Sequence, residues 1–258
     1  MRAPATIGRL TADLSAGPEG WIDYKNNVIV QLPFGEFETI TKDQILAGQN
    51  IIAVKSKSGT YEIIQFQDAV EIATNQWQLS NLLRAQSGTD DAMEKGASSG
   101  AEVVLINGNV TNLALSSSEL DAELYWQVTG LGKSNADIDV ITFTGGARAN
   151  TPFSPVHLRA IRQADGIMLT WKRRSRFNAD SWSGADVPID EDELRYRLDI
   201  MNGFNIIRTI EISVHQYLYS VADELSDFMQ TQAQITFSVT QIGGQIASGI
   251  SRCATKLL

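Results

Sequence analysis

The 258-residue chain predicts an all-β fold in two parts: an irregular barrel-like or mixed-sheet domain over residues 1–150, then a β-sandwich over 151–258. Three observations carry this. Apolar and polar residues alternate with period two along most of the length, which places them on opposite faces of half-buried strands. Gly, Asn and Ser clusters interrupt the alternation at short intervals, as turns do. Long amphipathic stripes of helical period are missing.

In order along the first part, NNVIVQLP and GEFETITK read as strands, and IIAVKSKSGTYEIIQFQ reads as a hairpin turning near Ser58–Gly59. QWQLSNLLR, AEVVLING, ELYWQV and DVITFT follow as further strands. Short helices are expected at Thr41–Ala47 and near Thr89–Glu94, where Thr89 or Asp90 can cap the first turn. The two prolines of TPFSPVHL mark a boundary near Asn150. Beyond it the alternation is cleaner. Ile167, Leu169 and Trp171 share a face opposite Met168, Thr170 and Lys172. Tyr196, Leu198 and Ile200 oppose Arg195, Arg197 and Asp199. Tyr217, Tyr219 and Val221 line a third face, and Ile235, Phe237 and Val239 a fourth. About seven short strands in about a hundred residues suit a two-sheet sandwich.

An apolar fraction of 43% and a charged fraction of 20% belong to a folded, soluble chain. The net charge of -9 is uneven: residues 1–150 hold 10 Lys+Arg against 18 Asp+Glu, and residues 151–258 hold 11 against 12. That balance argues against nucleic acid as a partner, since phosphate backbones require a cationic footprint. Cys253 is the single cysteine, so neither an intrachain disulfide nor a cysteine metal cage can form. The start, MRAPATIGRL, has no apolar core of a signal peptide, and no apolar run has the length of a membrane span. No export signal and no membrane insertion are therefore expected. The first residues read like the middle of a domain, so the chain is expected to be a piece of a longer polypeptide.

Lys172–Leu194 has no helical or strand period and joins two clear strands. It gathers Lys172, Arg173, Arg174 and Arg176, then Phe177 and Trp182, then the acids Asp190–Glu193. Two readings are open: a solvated loop whose opposite charges pair internally, or a contact site. Structureless connections of this length are commonly functional or disordered, and arginine and aromatics are enriched at binding hot spots. Arg173, Arg174, Arg176, Phe177 and Trp182 are the candidate contact residues.

Other constellations are weaker. Asp90, Asp91 and Glu94 invite comparison with glycoside hydrolysis, but that chemistry needs two carboxylates held across a sugar in different environments. Neighbouring acids after Gly88–Thr89 fit a helix start better. TGLGKS, Thr129–Ser134, imitates the end of a phosphate loop, yet Gln127 stands where the pattern requires glycine. His157 and His215, the only two histidines, lack the surrounding signature of a zinc site or a catalytic triad and read as core or strand-edge residues. Cys253 reads as a small buried or edge residue. Of the five tryptophans, Trp21, Trp77, Trp126 and Trp171 read as core, with Trp182 apart. No catalytic, cofactor or metal residues are expected.

Two stretches resemble a known family. QFQDAVEIATNQWQLSNLLRAQSGTDDAM is similar to the C-terminal region of the large tail-tip host-specificity protein of gene transfer agents and related long-tailed phages. There a Q-F-x-x-A strand precedes W-x-L-x-x-L-L-R-x-Q-x-G-T-[DE]. The matching residues are Gln65, Phe66, Ala69, Trp77, Leu79, Leu82, Leu83, Arg84, Gln86, Gly88, Thr89 and Asp90. Ala85 stands where the family often has glycine. The stretch from Ser154 resembles the module that closes the same protein, with S-P-V-H-L, I-x-L-x-W and R-R-x-R…D-S-W…V-P in order. The resemblance implies a fibronectin type III-like sandwich at the C-terminal end of a longer tail-hub polypeptide, trimeric in its parent, with a hydrolase-like barrel upstream. It implies a non-enzymatic role in tail-tip assembly and attachment. The partners would be other tail-tip proteins and a recipient surface glycan or protein receptor. The location would be the tail of a phage-like particle made in the bacterial cytoplasm. No catalytic residues of the family map onto this chain. A carbohydrate-binding β-module is the alternative reading, and a glycosidase using Asp90, Asp91 or Glu94 a more distant one.

Overall fold

The computed structural model describes residues 4–129, 138–176, 193–243 and 249–258. The chain divides into two compact units, Met1–Asn112 and Leu113–Leu258.

The first unit contains β1 (Ile7–Leu10), β2 (Ile22–Asp23), β3 (Val28–Gln31), α1 (Lys42–Leu46), β4 (Ile51–Lys55), β5 (Tyr61–Ala73), β6 (Gln76–Gln86), α2 (Asp90–Lys95) and β7 (Glu102–Ile106). Its strands pair in the order β6, β3, β1, β7, β4, β5, and β5 pairs back to β6, so six antiparallel strands close on themselves while β2 adds to β6. Closure leaves those six strands no free edge for edge-to-edge aggregation. The inward residues fill the centre: Val28, Val30, Ile52, Val54, Ile64, Phe66, Leu79 and Val103 are buried. Phe37 packs edge-on against Phe66 at 5.4 Å and Trp77 at 6.0 Å.

Both short helices stand where the sequence places them, but the expected cap forms at the first alone: Thr89, ahead of α2, makes no side-chain cap hydrogen bond. Thr41 accepts from the Gln44 N–H while the Gln44 side chain accepts from the Thr41 N–H, a reciprocal capping box. The segment GEFETITK is not a strand. Gly35 takes a left-handed φ of 89°, and the segment reaches the barrel through scattered bonds such as Ile40 N–H to Gln67 O at 2.9 Å, short of a ladder. Trp21 is 76% exposed, against the expectation of a core residue, because it lies in the loop ahead of β2.

The second unit opens with a two-stranded ribbon, β8 (Glu123–Trp126) and β9 (Ile141–Thr144). The boundary read near Asn150 therefore falls inside this unit, between the ribbon and the sandwich. The sandwich strands are β10 (Val156–Gln163), β11 (Gly166–Lys172), β12 (Arg195–Asn202), β13 (Asn205–Ile212), β14 (Gln216–Ser220), β15 (Gln234–Ile242) and β16 (Ser251–Leu257). One sheet runs β10-β11-β14 and the other β13-β12-β15-β16. This three-on-four antiparallel sandwich is of the fibronectin type III kind. Ile167, Leu169 and Trp171 from one sheet and Tyr196, Leu198, Ile200, Ile235, Phe237 and Val239 from the other make one buried core. The Trp171 and Tyr196 rings meet edge-on at 5.4 Å between the sheets.

Val221 does not extend the third face. It begins α3 (Val221–Phe228), which carries the chain from β14 to β15. Ser220 caps it by accepting from the Asp223 N–H at 3.1 Å. Two arginine forks fasten this helix. Arg162 of β10 donates to both Glu224 carboxylate oxygens at 2.6 and 2.7 Å. Arg208 of β13 donates to both oxygens of Asp227 at 2.6 and 3.0 Å and pairs with Asp223 at 2.9 Å. Hydrogen bonds from Arg162, against the opposing effect of burial, hold the Glu224 carboxyl below its ordinary range. Those from Arg208 act likewise on Asp227, aided by the Tyr219 hydroxyl. Burial and the bond to Asp227 push the Tyr219 phenol up in turn.

Candidate functional site

The outer face of the three-stranded sheet carries a recess of about 360 Å³. Its lining includes His157 and Arg159 from β10, Thr170 and Lys172 from β11, and His215 and Gln216 at the start of β14. Alternation explains the set. With Leu158, Leu169 and Trp171 directed into the core, residues 157, 159, 170 and 172 face outward. Register then joins three strands: Arg159 lies opposite Thr170, and Thr170 opposite Gln216. The pairing between β10 and β11 shifts by a bulge between Val156 and Arg159, and His157, within it, takes a left-handed φ of 54°. A bulge of this sort re-aims a side chain at a sheet edge. The Trp171 N–H donates to the His215 carbonyl at 3.2 Å and holds that residue beside β11 ahead of the regular ladder.

The cations here differ from four arginines elsewhere in the sandwich. Arg162 and Arg208 are committed to α3, Arg195 pairs with Glu211 at 2.9 Å, and Arg197 with Asp199 at 3.2 Å. On the outer face of the four-stranded sheet, buried Asp199 also accepts from Thr209 at 2.7 Å. Arg159, Lys172, His157 and His215 make no side-chain hydrogen bond or ion pair among the described residues. No carboxylate lines the recess among those residues.

The candidate contact residues begin where β11 ends. Arg174 turns back on its own domain: its Nε donates to the Ser154 carbonyl at 2.9 Å and an Nη to the Ser154 hydroxyl at 2.8 Å, while the guanidinium sits 5.2 Å from the centre of the Phe153 ring. Arg252 donates to the same hydroxyl at 3.2 Å. Arg176 reaches the Ala149 carbonyl at 3.5 Å, and Arg173 is half-buried. Phe177 and Trp182 lie outside the described residues, as does most of TGLGKS. Sequence reasoning thus named the root of the loop and read His157 and His215 as core or strand-edge residues, but it did not name Arg159 or Gln216 or bring these residues together. Thr170 and Lys172 were placed on one outward face by alternation; what brings β10 and β14 beside them is register, which a single sequence does not display.

The remaining candidates find structural places. Asp90 is buried at the start of α2, Asp91 is half-buried and Glu94 exposed. Both histidines are exposed at the edges of their sheet, and Cys253 is exposed on edge strand β16. Among the described residues no group of three or more His, Cys, Asp or Glu is arranged to hold a metal, and no helix is long and apolar enough to cross a membrane.

The arginine of the W-x-L-x-x-L-L-R stretch has a defined job. Arg84 is buried inside the first unit and donates to both oxygens of Glu62 at 2.7 and 2.9 Å, to Asp23 at 3.2 Å and to the Ser15 carbonyl at 3.1 Å. Burial pushes the Asp23 carboxyl up, but bonds from Asn26, Lys25 and Arg84 outweigh it and hold it below its ordinary range. Gly17 passes so close that a Cβ there would lie 2.5 Å from an Asp23 oxygen and 2.8 Å from Arg84. The clamp ties the Ser15–Asp23 segment to β5 and β6. Thr89 similarly bridges strands, accepting from the Ile63 N–H at 3.0 Å and donating to the Gln86 carbonyl at 2.8 Å.

Comparison with known proteins gives three results. Residues 5–104 match the family described as Rcc01698-like, C-terminal, a match that covers the clamp and lies within the first unit. No curated protein matches the chain. Among solved structures, the rat CD45 extracellular region, domains d3-d4, is similar at 15% identity and a TM-score of 0.31, over 59% of this chain and 72% of that one.

Proposed function

We propose that the chain is a non-enzymatic structural and binding region of a phage-like tail tip, from the C-terminal part of a gene transfer agent host-specificity or hub protein. In this reading it assembles with other tail-tip proteins, in a parent that forms a trimer, and contributes to attachment at the recipient surface. The observation that carries it is the match of residues 5–104 to a C-terminal-region family, over a closed barrel in which Arg84 and Thr89 of the resembling stretch act as fasteners. A second reading, a carbohydrate-binding β-module, is favoured by exposed aromatics: Trp21 is 76%, Tyr24 73% and Tyr125 69% exposed, and such faces stack on sugars.

The test is a particle carrying Arg173→Ala, Arg176→Ala and Trp182→Ala together. Arg174 is kept, because its fork on Ser154 belongs to the fold. The isolated chain should melt as before while assembled tails or adsorption to recipient cells decline. Unchanged titre and adsorption would count against the proposal. Retention of the isolated chain on a neutral glycan array, lost on Trp21→Ala, would favour the second reading.

A further inference from the structure

We propose that the recess on the β10-β11-β14 face is a binding site for an anionic sugar, gripping a carboxylate or phosphate group carried on a saccharide; the inference deepens the attachment reading and rests on it. Four features carry it. Arg159 and Lys172 project from neighbouring strands whose spacing is roughly 5 Å, with roughly 7 Å between alternate residues along a strand, so both long side chains reach one anion between them. Neither has an acidic partner among the described residues, although other arginines of the same domain do. Thr170 and Gln216, in register with Arg159, add a hydroxyl and an amide suited to sugar hydroxyls. The two histidines flank the recess and supply further donors, and the bulge at His157 brings its ring to the rim.

Size and charge narrow the ligand. A recess of about 360 Å³ is at the small end of ligand sites, suited to one or two sugar residues. Residues 151–258 are close to neutral, with 11 Lys+Arg against 12 Asp+Glu, so the attraction is local to this patch. A carboxylate would come from an acidic surface polysaccharide and a phosphate from a phosphorylated sugar; the chemistry of capture is the same.

The experiment titrates the full chain with a fluorescent oligogalacturonate, with glucose 6-phosphate, and with maltohexaose as the neutral control. The acidic probes should bind, more weakly as salt rises, and maltohexaose should not. Arg159→Ala with Lys172→Ala should weaken acidic binding by about tenfold or more. Arg159→Gln with Lys172→Gln should do the same while keeping the side-chain bulk, and Lys172→Arg should retain binding. Which acidic probe binds identifies the source of the anion. Failure of both to bind the folded chain, equal binding of maltohexaose, or unaltered binding by the glutamine variant with an unchanged melt would each overturn the site. Adsorption of particles bearing the glutamine pair reports separately on attachment. Anion binding that is lost without loss of adsorption would leave the site standing and remove its role in that step.

Discussion

The two units treat charge in opposite ways. The barrel buries an arginine and two carboxylates at its interior, where Arg84, Asp23 and Glu62 are almost wholly shielded from solvent. The sandwich keeps its core apolar and places its arginine forks at the corner where α3 changes sheets, with Arg162 and Arg208 each about a third exposed. A buried ion cluster costs desolvation that its own geometry must offset, and breaking it is therefore more damaging than breaking a half-exposed one. What the difference teaches is where each unit needs specificity. The barrel uses the cluster to dock an irregular segment, Ser15–Asp23, that forms little ladder of its own. The sandwich strands pair in longer ladders, and its arginine forks fasten the helical crossover between β14 and β15.

The largest expected effect tests that contrast directly. Arg84→Met should destabilise the first unit by about 3–5 kcal/mol, because it strands two buried carboxylates; denaturant unfolding measures it. A loss below about 1 kcal/mol, the range of surface pairs, would erase the distinction. Next comes Arg162→Met, which leaves Glu224, itself 0% exposed, with one main-chain donor from Gln232. The expected loss is about 2 kcal/mol, confined to the second unit.

Acid should weaken both units. Asp23, Glu224 and Asp227 are held below their ordinary carboxylate range when folded. Their contribution is thus complete above the unfolded values near 4 and is lost as pH falls through the depressed folded values. Thermal melts from pH 7 to pH 3 should show a steep decline only below about pH 4.5. In Glu224→Gln the decline should be shallower.

The smallest effect has the opposite sign. Ala85 takes a left-handed φ of 54°, the region in which an L side chain is strained and glycine is not. Ala85→Gly should stabilise the first unit by about 0.5–1 kcal/mol, net of the greater freedom of glycine in the unfolded chain. Its N–H still donates to Glu62, at 3.1 Å. A destabilised variant would show that the methyl, 6% exposed, contributes more by packing than its backbone costs.

Alternation alone made much of this architecture legible. The buried faces of β11, β12 and β15 carry the residues that period two assigned to them, and the hairpin at Ser58–Gly59 and the cap at Thr41 lie where turn and capping chemistry required. These features depend on neighbours within a few residues, so the chain carries them locally. Three others were hidden for want of that locality. The pairing of β3 with β6, of β1 with β7 and of β4 with β7 is a choice of partner among many compatible strands. The helix after Ser220 replaced a continued strand because Arg162 and Arg208, distant in sequence, hold its acids. The cluster at Arg159 and Lys172 exists only because register sets β10, β11 and β14 side by side. Side-chain direction is a property of the strand, but adjacency is a property of the sheet, and only the folded sheet brings separated cations to one point.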